Sequence, residues 1–173
     1  MNKGLISGLV LLTFGLVCGL LLATVNELTK DRIAFEELRL KTEAIDEYYS
    51  VDDYHIVIEE FSSGIIDTIF FIYESESSSE VYAIAYSGSA QGYGGLVTIL
   101  VVIESNLNVL DYQVISHQES GPGLRAVGAN FNYRTADSLA GFDSQAGATL
   151  TSNAFKQVFT EIASRVKTDM GVE

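Results

Sequence analysis

With 173 residues the chain has room for one domain plus an anchor and can bury a real core. Its 23 acidic and 10 basic side chains leave a formal net charge of −13, which argues against nucleic acid as a partner and predicts a soluble, self-repelling exterior. A single cysteine, Cys18, excludes an intramolecular disulfide, a CxxC redox pair and a cysteine-based metal cluster.

From Gly4 to Val25 no residue is charged. A helix of that length, rising about 1.5 Å per residue, crosses a hydrocarbon core about 30 Å thick. The competing reading is a cleaved signal peptide, but the run exceeds the roughly 7 to 15 apolar residues of such a segment and lacks an A-x-A site. A retained anchor is therefore expected. Cys18 reads as a small lipid- or helix-facing side chain, since Val17 stands where a lipoprotein cleavage site needs a small residue. Orientation rests on little: Lys3 lies on one side, while Lys30, Arg32, Arg39 and Lys41 are mixed with acids on the other, and a count of positives alone would point opposite to the orientation expected below.

Residues 26–49 keep a helical spacing, with Leu28, Ile33, Phe35, Leu38, Leu40 and Ile45 set among dense charges. This predicts an amphipathic stalk continuing out of the membrane. Its charges read as a solvated face with local pairs such as Glu37 with Lys41, each contributing about 0.2 to 0.5 kcal/mol.

The period then changes. Residues 55–61, 65–73 and 80–86 are rich in β-branched and aromatic side chains and predict antiparallel strands, with an exposed Ser-rich turn over 75–79. His55 reads as a strand or surface histidine without a metal-binding partner. Gln91-Gly-Tyr-Gly-Gly95 precedes an almost continuous apolar strand, 96–104, and a short Ser-Asn-Leu-Asn connection leads into 109–116, predicting a hairpin. Those glycines serve either a tight bend or a close approach of a flat ligand to the backbone, and the bend is the simpler reading.

After the hairpin comes His117-Gln-Glu-Ser-Gly-Pro-Gly-Leu-Arg125, which holds the single proline. Gly-Pro-Gly predicts a sharp loop, and His117 and Glu119 at its base are of the right type to hydrogen-bond a heteroaromatic edge. Residues 126–142 carry no firm period, and a loop with a short helix is expected there. The final helix is plain: Phe155, Val158, Phe159, Ile162 and Val166 form one apolar stripe. Ahead of it lies Asp143-Ser-Gln-Ala-Gly-Ala-Thr-Leu-Thr-Ser152. Gly147, Ala148 and the hydroxyls of Thr149, Thr151 and Ser152 fall where the first helical amides have no partner. Such a stretch is either an ordinary loop with a Ser N-cap or a phosphate cradle.

Two strings, taken together, resemble a known family. Asp143-x-x-Ala-Gly-Ala-Thr149 is similar to the flavin-attachment motif of the FMN-binding domain found in the G subunit of Rnf complexes and the C subunit of sodium-pumping NADH:quinone reductases. The 117–125 string resembles that family's His-x-Glu-Thr-Pro-Gly-Leu-Gly signature, Gly92 to Gly95 matches its Gly-Tyr-Gly-Gly, and Thr29 with Ile33 matches its Thr-x-x-x-Ile. The resemblance implies an α+β protein: a tail and transmembrane helix (1–25), a helical stalk (26–50) and an FMN-binding domain (51–173) with an antiparallel sheet and packed helices. It implies covalent FMN on Thr149 through a phosphoester. His117, Glu119, Gly123, Leu124, Gly147, Ala148, Thr151 and Ser152 would stand around the cofactor, while Asp143, Gly147 and Ala148 would be read by a flavin transferase. The tail would lie in the cytoplasm and the flavin domain outside. There are departures: Ser120-Gly121-Pro122 replaces Thr-Pro, Ala146 replaces Ser or Thr, and Arg125 replaces a Gly. A cation at 125 near the isoalloxazine would raise its potential.

No Ser/His/Asp or Cys/His set and no Walker or Rossmann glycine pattern is present, so no catalytic side chains are assigned. The leading expectation is an electron-transfer subunit of an Rnf-type ferredoxin:NAD oxidoreductase coupled to Na+ or H+ movement. Its partners would be other membrane subunits, the flavin transferase and membrane lipid, with no nucleic acid. The alternatives are a stand-alone flavinylated protein for extracellular electron transfer and a flavin-free, membrane-anchored assembly module.

Overall fold

A computed structural model describes residues 3–50, 52–129, 131 and 133–171, with the side chains of all but 3 and 5. The chain divides into two compact units, the first ending at Arg39 and the second starting at Leu40. Helix α1 (Lys3–Asp46) supplies the described residues of the first unit and the opening of the second.

In the first unit the helix is long and apolar enough to cross a membrane, and none of its apolar window is buried in the protein. Leu11, Phe14 and Leu22 are each more than 70% exposed, as side chains that need a lipid solvent would be. The polar groups within it satisfy themselves locally. Thr13, Thr24 and Thr29 each donate a hydroxyl to the carbonyl four residues back, at 2.8, 2.8 and 2.9 Å. Past the apolar run, Lys30 pairs with Glu27 and Arg39 with Glu36, one helical turn apart.

The second unit is built on a five-stranded antiparallel meander in the order β1 (His55–Glu60), β2 (Ile66–Tyr73), β3 (Ala83–Gln91), β4 (Leu96–Glu104) and β5 (Val109–His117). Short helices α2 (Leu124–Val127) and α3 (Ala136–Leu139) and the long α4 (Thr149–Asp169) follow. The architecture is the expected α+β. On one face, Ile84, Tyr86, Val97, Ile99, Val101 and Ile103 join Phe155, Val158, Phe159, Ile162 and Val166 of α4 in one core, the α4 stripe being wholly buried. Phe131, Tyr133 and Phe142 extend that core as an aromatic cluster, with Phe131 4.7 Å from Phe142 between centroids. Tyr112 ties it to β5: its hydroxyl donates to Ala129 O and accepts from Phe131 N–H, both at 2.7 Å.

The alternate residues of the sheet, Phe70, Ile72, Leu100 and Val102, are buried as well. The last turns of α1 are fastened on that side by Lys41 to Asp67 at 2.7 Å, with Ile45 fully buried, and the turn that follows by Tyr48 to Asp111 at 2.7 Å. Lys41, expected on a solvated face, is thus a correction: it is 5% exposed, because its carboxylate partner lies on β2, far along the chain.

β3 is displaced from the expected 80–86. It starts at Ala83 and runs through Ser87-Gly88-Ser89, of which all three pair with β4, Ser87 and Gly88 pair with β2, and the Ser89 amide donates to Ile65 O just ahead of β2. A Cβ on Gly88 would sit 2.9 Å from Val158 Cγ1, so the bare glycine lets α4 close onto the sheet.

Candidate functional site

Three backbone features meet at one end of the sheet. Gln91 opposes Leu96 across the β3–β4 turn, and Val97 opposes His117, so the glycine turn and the exit of β5 lie at the same end. The Gly94 amide donates to Glu119 Oε1 at 3.1 Å. A Cβ on Gly94 would fall 2.1 Å from Gln118 O and one on Gly92 2.1 Å from Glu119 Oε1, so these glycines do serve a close approach, but to the chain's own Gln118 and Glu119. His117 is exposed, and its Nδ1 accepts the Glu119 amide at 3.2 Å.

The Gly-Pro-Gly string folds as a 3-10 turn over Gly121–Gly123 that runs straight into α2. Gly123 is the crowded position. A Cβ there would sit 1.9 Å from Glu119 Oε2 and 3.0 Å from Thr151 Oγ1. Both of those atoms are buried, and neither has a hydrogen-bond partner among the described residues; Glu119 is 7% exposed and Thr151 fully buried. A buried carboxylate oxygen and a buried hydroxyl left open in this way cost stability, and they mark a place built for something more than packing.

The third feature is the start of α4. Ala148 N donates to Gln145 O at 3.1 Å, and Gly147 takes φ +79°, the left-handed turn that suits glycine. The helix begins at Thr149, and its first bond runs from Ser152 N to Ala148 O at 2.9 Å, so the amides of Thr149, Leu150 and Thr151 precede the helical ladder. The N-cap residue is Ala148, with no side-chain cap. The Ser N-cap reading is therefore corrected. Ser152 lies inside the first turn, fully buried, and its hydroxyl accepts the Gln145 amide at 3.0 Å, which locks the loop to the helix. That hydroxyl faces inward and is already used.

Tyr93, Pro122, Gly123 and Gly147 to Thr151 enclose a cavity of about 320 Å³. Thr149 is exposed at its edge, as a hydroxyl on the first helical residue with free amides beside it. Of the residues singled out in the sequence, Gly123, Gly147, Ala148, Thr149 and Thr151 line the cavity, and Glu119 stands directly behind Gly123. His117 and Ser152 are not in the lining, Leu124 is 48% exposed on α2, and Asp143 is exposed in the loop before α4. Tyr93, 64% exposed, and Leu150, 58% exposed, were missed; a large aromatic flanked by glycines is the signal that marks the first. Arg125 is exposed, and its Nη1 lies 3.6 Å from the Cβ position of Gly147. Among the described residues, no group of three or more His, Cys, Asp or Glu is placed to hold a metal.

Residues 92–164, which hold this entire site, match the FMN-binding domain, and residues 1–47 match the RnfG N-terminal region. The chain is 32% identical to the G subunit of the ion-translocating oxidoreductase complex of Shewanella amazonensis, over 72% of this chain and 61% of that one. It is 27% identical to the G subunit of the proton-translocating ferredoxin:NAD(+) oxidoreductase complex of Clostridium ljungdahlii, over 57% of this chain and 61% of that one. With the G subunit of the ion-translocating oxidoreductase complex of Cereibacter sphaeroides the identity is 28%, over 87% and 67%. The match thus spans 61% of the length of each of the first two relatives.

Proposed function

Because the chain belongs to the FMN-binding domain family and carries an RnfG N-terminal region, we propose that it is an electron-transfer subunit of a membrane-bound ion-translocating oxidoreductase complex, with FMN attached covalently at Thr149 Oγ1. The observation that carries this reading is the exposed Thr149 hydroxyl on the first residue of α4, at the edge of the cavity. The residues present fit the group. Three amides ahead of the helical ladder suit an anionic phosphate. Tyr93, Leu150 and Pro122 offer apolar surface for a flat ring, and the open Glu119 Oε2 and Thr151 Oγ1 offer an acceptor and a hydroxyl. Bound FMN supplies the redox chemistry; the chain supplies the tether, the orientation and the local field.

The assembly is carried over from the relatives' names, which speak of ion and proton translocation and of ferredoxin:NAD(+) oxidoreduction. Electrons would pass from ferredoxin towards NAD through other membrane subunits, coupled to Na+ or H+ movement. A flavin transferase installs the cofactor, and lipid surrounds the apolar part of α1. The short tail stays in the cytoplasm and the flavin domain lies outside. Production of the full chain with a flavin transferase, followed by ultraviolet imaging of a denaturing gel, tests the reading: wild type fluoresces and Thr149→Ala does not. A dark wild-type band would leave the flavin-free assembly module standing, and a C-terminal reporter active in the cytoplasm would overturn the orientation.

A further inference from the structure

Like Arg32, Arg134 and Lys156, the exposed Arg125 guanidinium forms no ion pair or side-chain hydrogen bond among the described residues, in a protein with 23 acids and a net charge of −13. It does have a defined neighbour: Nη1 lies 3.6 Å from where a Cβ of Gly147 would be, and Gly147, at φ +79°, keeps that side of the loop bare. Two residues further on, Thr149 opens α4.

The charge balance of the site gives that position a meaning. Glu119 places a buried carboxylate behind Gly123, with Oε2 unpartnered, and Thr151 Oγ1 is unpartnered within the cavity wall. A phosphate entering here meets the positive end of α4 but also this buried negative charge. A planar cation with several parallel donors is the side chain best suited to tip the balance. We propose that Arg125 binds the phosphate of the flavin held at Thr149, serving as a phosphate-binding residue and not as a charge against the isoalloxazine. The inference rests on the reading of Thr149 as the flavin site. It also relocates the cation: the residue that departs from the family pattern acts at the attachment end of the cofactor.

The test uses the full chain in detergent, produced with a flavin transferase and sampled over time, as wild type, Arg125→Gln, Arg125→Lys and Thr149→Ala. In-gel flavin fluorescence per protein should rise about tenfold more slowly in Arg125→Gln, the scale of one charge-assisted hydrogen bond. Arg125→Lys should recover much of the rate. In the loaded proteins the phosphorus-31 resonance should move in Arg125→Gln while the midpoint potential stays at the wild-type value. Loading at the wild-type rate overturns the proposal. An unmoved phosphorus resonance does so too, because slow loading would then reflect recognition by the transferase. A lowered potential overturns it by placing the charge at the ring. A dark wild type, or a fluorescent Thr149→Ala, would instead remove the flavin site itself. Arg125 is exposed and forms no ion pair or side-chain hydrogen bond among the described residues, so equal circular dichroism is expected throughout.

Discussion

Removing Asp67 should take from a buried ammonium the carboxylate paired with it across the fold. The Lys41 side chain is 7% exposed and that of Asp67 29%, with Nζ 2.7 Å from Oδ1 and 3.3 Å from Thr68 Oγ1. Asp67 Oδ2 accepts from Ser89 Oγ at 2.9 Å, so the carboxylate keeps a partner without Lys41, whereas without Asp67 the more deeply buried ammonium loses the carboxylate that β2 holds against it. Breaking a buried pair from one side costs about 3–5 kcal/mol, and Asp67→Ala should lie in that range. Lys41→Met, which leaves the better solvated partner, should cost about 1–3 kcal/mol. If the two were independent, the double variant would cost their sum, about 4–8 kcal/mol; as a compensating pair it should cost about 1–3 kcal/mol, since two buried charges leave together. Denaturant unfolding of the full chain in detergent, followed by tyrosine fluorescence in this tryptophan-free protein, measures all three. A coupling energy below about 0.5 kcal/mol would refute the reasoning. The acid side gives a second check. Burial pushes the Asp67 carboxyl up, but the Lys41 hydrogen bond and charge, with the Ser87 and Ser89 hydroxyls, more than offset it and hold the group below its ordinary value. The stabilisation is therefore fully present above the unfolded carboxylate value of about 3.9, and it is lost as pH falls through the lower folded one. Asp67→Ala should flatten that part of the stability profile.

Gly88→Ala should destabilise the domain by about 1–3 kcal/mol through overpacking, more than the roughly 0.4–1 kcal/mol returned by stiffening the unfolded chain. The new methyl would meet Val158 Cγ1 at 2.9 Å and Ile65 O at 3.1 Å, and an unchanged denaturation midpoint would mean that α4 can shift to make room. Tyr48 is held protonated by its hydrogen bond to Asp111, by partial burial and by the charges of Asp111 and Glu47, which push it up to about 12. The stability tied to its raised value is complete below pH of about 10 and lost as pH rises through about 12. In ultraviolet titration, Tyr48→Phe should remove a phenol that ionises late; loss of one titrating near pH 10 would count against the contact.

What could be read from the sequence was what short range decides. The apolar run, the α4 stripe and strands β2, β4 and β5 state their own periods, and Gly123, Gly147, Ala148, Thr149 and Thr151 came together because two strings already group them. The second half of β3 was not legible, since Ser87-Gly88-Ser89 has weak strand propensity and is held extended by neighbours on both sides. Lys41 was misplaced for a related reason: its burial depends on a carboxylate on β2. Ser152 was misread because a serine near a helix start looks like a cap, while the helix begins three residues earlier and turns that hydroxyl inward.

The shape of the site bears on why a tether would matter. A free ligand must recover about 4–15 kcal/mol of lost translational and rotational freedom from its contacts alone. A cavity of about 320 Å³ walled by eight residues, with Tyr93 and Leu150 each more than half exposed, gives little area from which to draw that. On the proposed reading, the bond at Thr149 removes this demand, so the polar groups need only orient the cofactor. Gly123 then becomes the critical spacing element. Any side chain there would displace Glu119 Oε2, and with it the carboxylate that anchors the Gly94 amide and so the turn carrying Tyr93. One glycine would hold the ring-facing turn, the buried carboxylate and the first turn of α4 in register around the attachment point.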